Sequence, residues 1–208
     1  MKRLLVLALA TACVAAFLPQ NLDAGVGIKG GFTLSKFQMS SADPLPFSWA
    51  NLPSYAGGLY FNIGLGLFSV QPEVLYTRMG GRWEVDADNS LEFRFDYLQV
   101  PVLLKINVVP AGPIRPFICG GGYGAYLIKA TGVMVVDGTA LPSEDIGDSY
   151  QKFDYGVVGG LGLTFKLPGL AITVEGRYNH GLRNLYKDPI EGESMKNTSM
   201  MALVGIGF

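Results

Sequence analysis

Three observations in the 208-residue sequence predict an all-β chain that closes into an eight-stranded antiparallel up-and-down barrel crossing a membrane. Apolar and polar residues alternate with a period of two over runs longer than an ordinary globular strand of about five or six residues. Hydrophobic residues make up 49% of the chain against 16% charged, with 28 glycines and 12% aromatics, a balance suited to close-packed strands with aromatic anchors. Connections alternate between short turn sequences and longer polar stretches, the layout of tight periplasmic turns and long extracellular loops. After Gly25 no run of about 18 apolar residues occurs and no long segment has helical periodicity, so a bundle of membrane-spanning helices is excluded.

The chain opens on Lys2-Arg3, continues as an apolar run from Leu4 to Leu18 and turns polar at Pro19-Gln20-Asn21. This is the layout of a secretory signal peptide, so residues 1–24 are expected to be cleaved before Gly25, leaving one domain over 25–208. Ala10-Thr11-Ala12-Cys13 resembles a lipoprotein cleavage box only weakly, because apolar residues continue past Cys13. Loss of Cys13 leaves Cys119 alone, so no intrachain disulfide can form. A small apolar strand residue is a better reading of Cys119 than a reactive thiol.

Strands are expected near 25–36, 54–65, 67–79, 90–107, 114–130, 152–167, 169–183 and 195–208. Short turns fall at Gly64–Leu67, Val109–Pro113 and Pro168-Gly169; longer polar loops fall near 37–53, 80–89, 131–151 and 184–194.

Faces follow from the pleat. In "FDYGVVGGLGLTFKL", Phe153, Tyr155, Val157, Leu161, Leu163, Phe165 and Leu167 share the apolar face opposite Asp154, Thr164 and Lys166. The same division sets Val26, Ile28, Phe32 and Leu34 against Lys29, Thr33 and Ser35. Val70, Val74 and Tyr76 likewise oppose Gln71, Glu73 and Thr77, while Leu170, Ile172, Val174 and Tyr178 oppose Thr173, Glu175 and Arg177. An inward-facing polar set is therefore expected: Lys29, Glu73, Lys105, Asp154, Lys166, Glu175 and Arg177, with Tyr60, Asn62 and Gln71. Charges of both signs in a narrow barrel must pair with each other or with water. An eight-stranded interior is just wide enough for its own side chains, so a plugged lumen is expected. The facing of "RPFICGGGYGAYL" stays open, and the fourth strand is expected to switch face near Tyr97-Leu98 at a bulge. Phe93, Phe95 and Tyr97, with Trp49 and Trp83, would fit outer loops and interfacial girdles.

The final residues alternate as well. Met200, Ala202, Val204, Ile206 and Phe208 form one face of a closing strand that ends on an aromatic, as at a membrane interface. A terminal aromatic after such alternation resembles the C-terminal signal by which outer-membrane proteins are recognised by their assembly machinery.

Other motifs have plainer readings. Gly25-x-Gly27-x-x-Gly30 has dinucleotide-binding spacing but opens a strand with no βαβ unit after it. His180 is the single histidine and has no serine following it on its own face, so an interfacial polar role outweighs nucleophilic catalysis. "DADNSLE", Asp86–Glu92, offers alternating oxygens but lacks the glycine of a calcium loop; it and the acidic stretch Ser143–Asp148 are read as loop surface. A net charge of -1 without a basic block sets nucleic acid aside. No cofactor, metal or catalytic set is expected.

Several stretches together resemble the PorT-like, or porin-family, outer-membrane β-barrel domain. They are "GIKGGFTLSKF", "VQPEVLYTRMG", "YLQVPVLLKI", "RPFICGGGYGAYL" and the end "VGIGF". The resemblance implies a small barrel of a Gram-negative outer membrane, and it carries over no set of functional residues. The expected role is structural or interactive, through the extracellular loops. Expected partners are outer-membrane lipid and lipopolysaccharide, the barrel-assembly machinery, and envelope or secretion proteins. A narrow porin for small solutes is the alternative. A soluble lipocalin-like carrier is disfavoured because the first strand lacks Gly-x-Trp and its apolar face would have to point inward.

Overall fold

A computed structural model describes residues 23–40, 49–84, 86, 89–109, 111–137, 139–188 and 193–208. Its strands are β1 (Asp23–Ser40), β2 (Leu52–Leu65), β3 (Phe68–Glu84), β4 (Ser90–Asn107), β5 (Ile114–Val136), β6 (Thr139–Ala140), β7 (Glu144–Asp145), β8 (Phe153–Leu167), β9 (Leu170–Gly181) and β10 (Ser194–Gly207). Eight of them hydrogen-bond in the order β4-β3-β2-β1-β10-β9-β8-β5, every pair antiparallel, and β4 pairs with β5 to close the ring. The two-residue β6 and β7 fold back on the far end of β5. Closure removes every free edge among the long strands.

The period-two alternation decides which side of the wall each residue occupies. Phe32, Leu59, Val74, Leu104, Ile118, Leu161, Val174 and Val204 all point outward and are exposed, Phe32 by 78% and Leu161 by 67%. Lys29, Glu73, Lys105, Asp154, Glu175 and Arg177 point inward and are buried. This distribution is inverted relative to a soluble carrier: the apolar face looks out and the charge looks in, which overturns the lipocalin-like alternative. Ring strands of 12 to 23 residues meet or exceed the roughly 9–11 that a tilted strand needs to cross a bilayer.

Two features differ from the sequence reading, and a third settles what it left open. First, β3 runs on to Glu84, through the first half of the stretch expected as a loop at 80–89, while β4 begins at Ser90 as expected; β5 runs to Val136, inside the expected 131–151 loop. Gly80-Gly81, at the start of that expected loop, instead permits close packing within β3. A Cβ at Gly81 would lie 2.8 Å from the Phe37 ring and 2.9 Å from the Trp49 ring. Second, β4 does not switch face: Phe93, Phe95, Tyr97, Gln99, Leu103 and Lys105 all lie on the inner side. The irregularity is on β5, where Asp96 pairs with Lys129 but Tyr97 pairs with Leu127, leaving Ile128 as the extra residue. Third, β5 faces inward with Phe117, Cys119, Tyr123, Ala125 and Leu127, which settles its orientation. The expected signal peptide lies outside the described residues up to position 22, and β1 begins at Asp23 by pairing with Gly64.

Candidate functional site

The lumen holds the polar chemistry, and strand register stacks it in layers. At the short-turn end, where β2–β3, β4–β5 and β8–β9 are joined, a cavity of about 460 Å³ opens between Tyr60, Asn62, Ser69, Lys105, Arg115, Thr164 and Lys166. Gly27 makes room beside it: a Cβ at that position would overlap the Tyr60 ring and the Ile206 carbonyl.

Above the cavity lies a four-membered ionic lattice. Lys29 from β1 donates to Glu73 on β3 at 2.7 Å and to Glu175 on β9 at 2.6 Å. Arg177 donates to both oxygens of Glu73 at 2.6 and 2.7 Å, and to Glu175 at 2.8 Å. Gln71 also donates to Glu73, and it accepts from Lys105 at 2.9 Å. All four ionic side chains are almost completely buried, so their charge is neutralised by one another rather than by solvent. Lys29 also sits 4.6 Å from the centre of the Tyr60 ring.

Next comes a hydrogen-bonded polar layer around Asp154. Asn197 donates to Asp154 at 3.0 Å and to the Tyr97 hydroxyl at 3.2 Å, and Asn179 donates to Ser199 at 3.1 Å. Asp154 also accepts the Tyr155 amide at 2.8 Å. The long-loop half is filled by aromatic and apolar side chains. Phe95 packs against Tyr150 at 4.7 Å and Phe37 at 5.4 Å between ring centres, and Trp49 meets Phe37 at 5.0 Å and Phe93 at 5.4 Å. Met79, Leu127, Ala130, Leu185 and Met195 complete this layer.

Of the expected lumen set, the structure brings Lys29, Glu73, Glu175 and Arg177 into one lattice, with Lys105 joined through Gln71. Asp154 stands apart in the polar layer above, and Lys166 lines the cavity. The aromatics require a correction. Phe93, Phe95, Tyr97 and Trp49 do not form an outer girdle; Phe95 and Tyr97 are fully buried inside the barrel. The signal that could have located them is the charge between them: Arg94 and Asp96 take the outward positions. There Arg78 holds Asp96 with two hydrogen bonds of 2.6 and 3.0 Å, and Arg82 and Arg94 both grip Glu92. Burial pushes the Glu92 carboxyl up, but the Arg94 and Arg82 guanidiniums outweigh it and hold the group below its ordinary range. Burial beside Tyr186 pushes the Tyr150 hydroxyl up to about 12.

The remaining candidates have unremarkable surroundings. His180 is on the outer face of β9, stacked on Tyr178 at 6.4 Å, and does not meet the inner charges. Asp86 accepts the Asn89 amide and side chain at 2.8 Å, closing the tip between β3 and β4; Asp88 is outside the described residues. No cluster of three or more potential metal ligands occurs among the described residues. Met200, Val204, Ile206 and Phe208 are exposed on the outer face, Phe208 by 72%.

A closed antiparallel ring of eight long strands, apolar outside and charged within, defines a transmembrane β-barrel. The chain belongs to the outer membrane protein beta-barrel domain family, whose model matches residues 19–187. It is thus a small outer-membrane β-barrel protein. Its fold is similar to the outer membrane protein OprG from Pseudomonas aeruginosa, with 13% identity over 89% of this chain and 96% of that one and a TM-score of 0.53. Neisserial surface protein A shares 11% identity over 88% of this chain and 95% of its own, with a TM-score of 0.49. The outer membrane protease OmpT from Escherichia coli shares 10% over 91% and 98%, with a TM-score of 0.46. At these identities the likeness is one of fold and carries no ligand or activity to this chain. No curated protein matches it.

Proposed function

We propose that this chain is a PorT-like, non-catalytic barrel with a plugged lumen, exported by its N-terminal segment, whose working surface is the long-loop end. The observation that carries this reading is the double filling of the interior. A buried lattice of Lys29, Glu73, Glu175 and Arg177 spans β1, β3 and β9, and the aromatic layer around Phe95 sits beyond it. Two successive filled layers above the cavity at the short-turn end support a lumen closed to solutes. A solute pore would instead need a wetted lumen, as wider barrels have. With its interior committed to packing, such a barrel acts through what it displays: envelope integrity, adhesion, or a membrane component of a secretion assembly. Lipopolysaccharide, outer-membrane lipid and envelope proteins are the partners that fit the loops, and the Met200–Phe208 face is the segment offered to the barrel-assembly machinery. Planar-bilayer recording of the pure protein is expected to show no stable openings; a reproducible single-channel step would overturn the plugged lumen and favour the narrow porin.

A further inference from the structure

The cavity at the short-turn end has in its wall a buried cation that no carboxylate side chain pairs. Lys105 is only 5% exposed, yet its ammonium makes no ion pair among the described residues. Its partners are neutral: the Gln71 side-chain oxygen at 2.9 Å and the Phe117 ring, whose centre is 3.8 Å away. The nearest carboxylate layer is already engaged, because Glu73 and Glu175 accept from Lys29 and Arg177. A buried cation without a counter-charge is costly, and an anion with access to it would offset that cost. Access exists, since Lys105 lies on the wall of the 460 Å³ cavity. Arg115 and Lys166 line the same cavity, and its described lining residues include no aspartate or glutamate. Hydroxyl and amide groups share the cavity wall: Ser69, the cross-strand partner of Lys105, Asn62, and Thr164 paired with Thr173 at 3.3 Å.

We infer that this cavity is a blind binding site for a small oxyanion, a phosphate or a carboxylate, with Lys105 at its inner wall and Arg115 and Lys166 guiding entry. The site takes its ligand from the short-turn side and passes nothing through, because the ionic lattice closes its inner end. This inference concerns the opposite end of the barrel from the loops and does not depend on them.

The test uses the full chain folded in detergent micelles, titrated calorimetrically with inorganic phosphate and, separately, with citrate in chloride-poor buffer. Saturable binding of one equivalent of either ion is expected, with phosphate alone or citrate alone identifying which oxyanion class the site takes. Lys105→Met should weaken binding at least tenfold, and the Arg115→Gln/Lys166→Gln pair should weaken it and flatten its salt dependence. Arg94→Gln, which removes the same charge at the far end of the barrel, should leave it unchanged. Should Lys105→Met not regain the compact, heat-modifiable form, the Arg115/Lys166 pair carries the test alone. Absence of saturable binding of both ions would overturn the inference, and so would full affinity in the folded Lys105 variant or in the Arg115/Lys166 pair.

Discussion

Replacing Glu73 with glutamine removes the carboxylate on which the lumen lattice converges. Glu73 receives Lys29 at 2.7 Å and Arg177 at 2.6 and 2.7 Å, together with Gln71. After the change, Glu175 alone faces both cations, and the almost fully buried Lys29 and Arg177 side chains are left with one negative charge between them. Breaking a buried pair by removing one partner costs about 3–5 kcal/mol, far above the roughly 0–1 kcal/mol of an exposed pair, because the remaining charge stays desolvated. The double variant Glu73→Gln/Lys29→Met restores electroneutrality, with Arg177 opposite Glu175. It should be more stable than the sum of the two single changes predicts, by a coupling of about 0.5–3 kcal/mol. The assay is urea unfolding in phospholipid vesicles, followed by tryptophan fluorescence and by the mobility of unheated samples. A Glu73→Gln protein within about 1 kcal/mol of the unmodified chain would refute the argument that the lattice is a desolvated, mutually neutralised unit.

Other expectations follow from the same geometry. Leu161→Arg, on the lipid side of β8, should cost about 2–4 kcal/mol in the same vesicles if the site lies near the bilayer midplane, whereas a neutral effect would place it outside the apolar band. Phe95→Ala should cost about 3–5 kcal/mol, since its fully buried ring packs against Phe37, Tyr97 and Tyr150; a loss below about 1 kcal/mol would mean the aromatic layer is loosely packed. Glu92 has a lowered folded-state pKa, so the stability it adds is fully present above its unfolded value and is lost as pH falls through the folded one. The stability gap between the unmodified chain and Glu92→Gln should therefore narrow on acidification, and a gap that does not change with pH would show that Arg82 and Arg94 do not hold the carboxylate.

Much of the wall is legible in the sequence. The alternation in β1, β3, β8, β9 and β10 assigns inner and outer faces without knowledge of neighbours, because successive side chains of a strand leave opposite sides of the sheet. The same rule is ambiguous where glycines replace both faces, as in Gly120-Gly121-Gly122. At Phe93, Phe95 and Tyr97 the aromatic character suggests an interface and points to the wrong side. Those rings face inward because Arg94, Asp96 and Glu92 on the alternate positions find ionic partners, chiefly on β3, so the charged face is the outer one. Gly80-Gly81 lies in the stretch expected as a loop, yet the strand continues through it, and Gly81 admits Phe37 and Trp49 against the wall.

By itself the sequence determined that this chain forms long two-faced strands, that their apolar side must meet lipid, and that their polar side must meet itself. Both follow from the strand period and from the cost of burying charge. Which charges meet was decided only by the closed ring. Lys29, Glu73, Glu175 and Arg177 are brought together across separations of 44, 104 and 146 residues by the stagger of eight strands, and a one-residue slip on any of them would turn its charge out into lipid. The same stagger leaves Lys105 one layer below the carboxylates, beside a cavity instead of an ion pair, because the position of a residue along the barrel axis is a property of the register and not of its own strand.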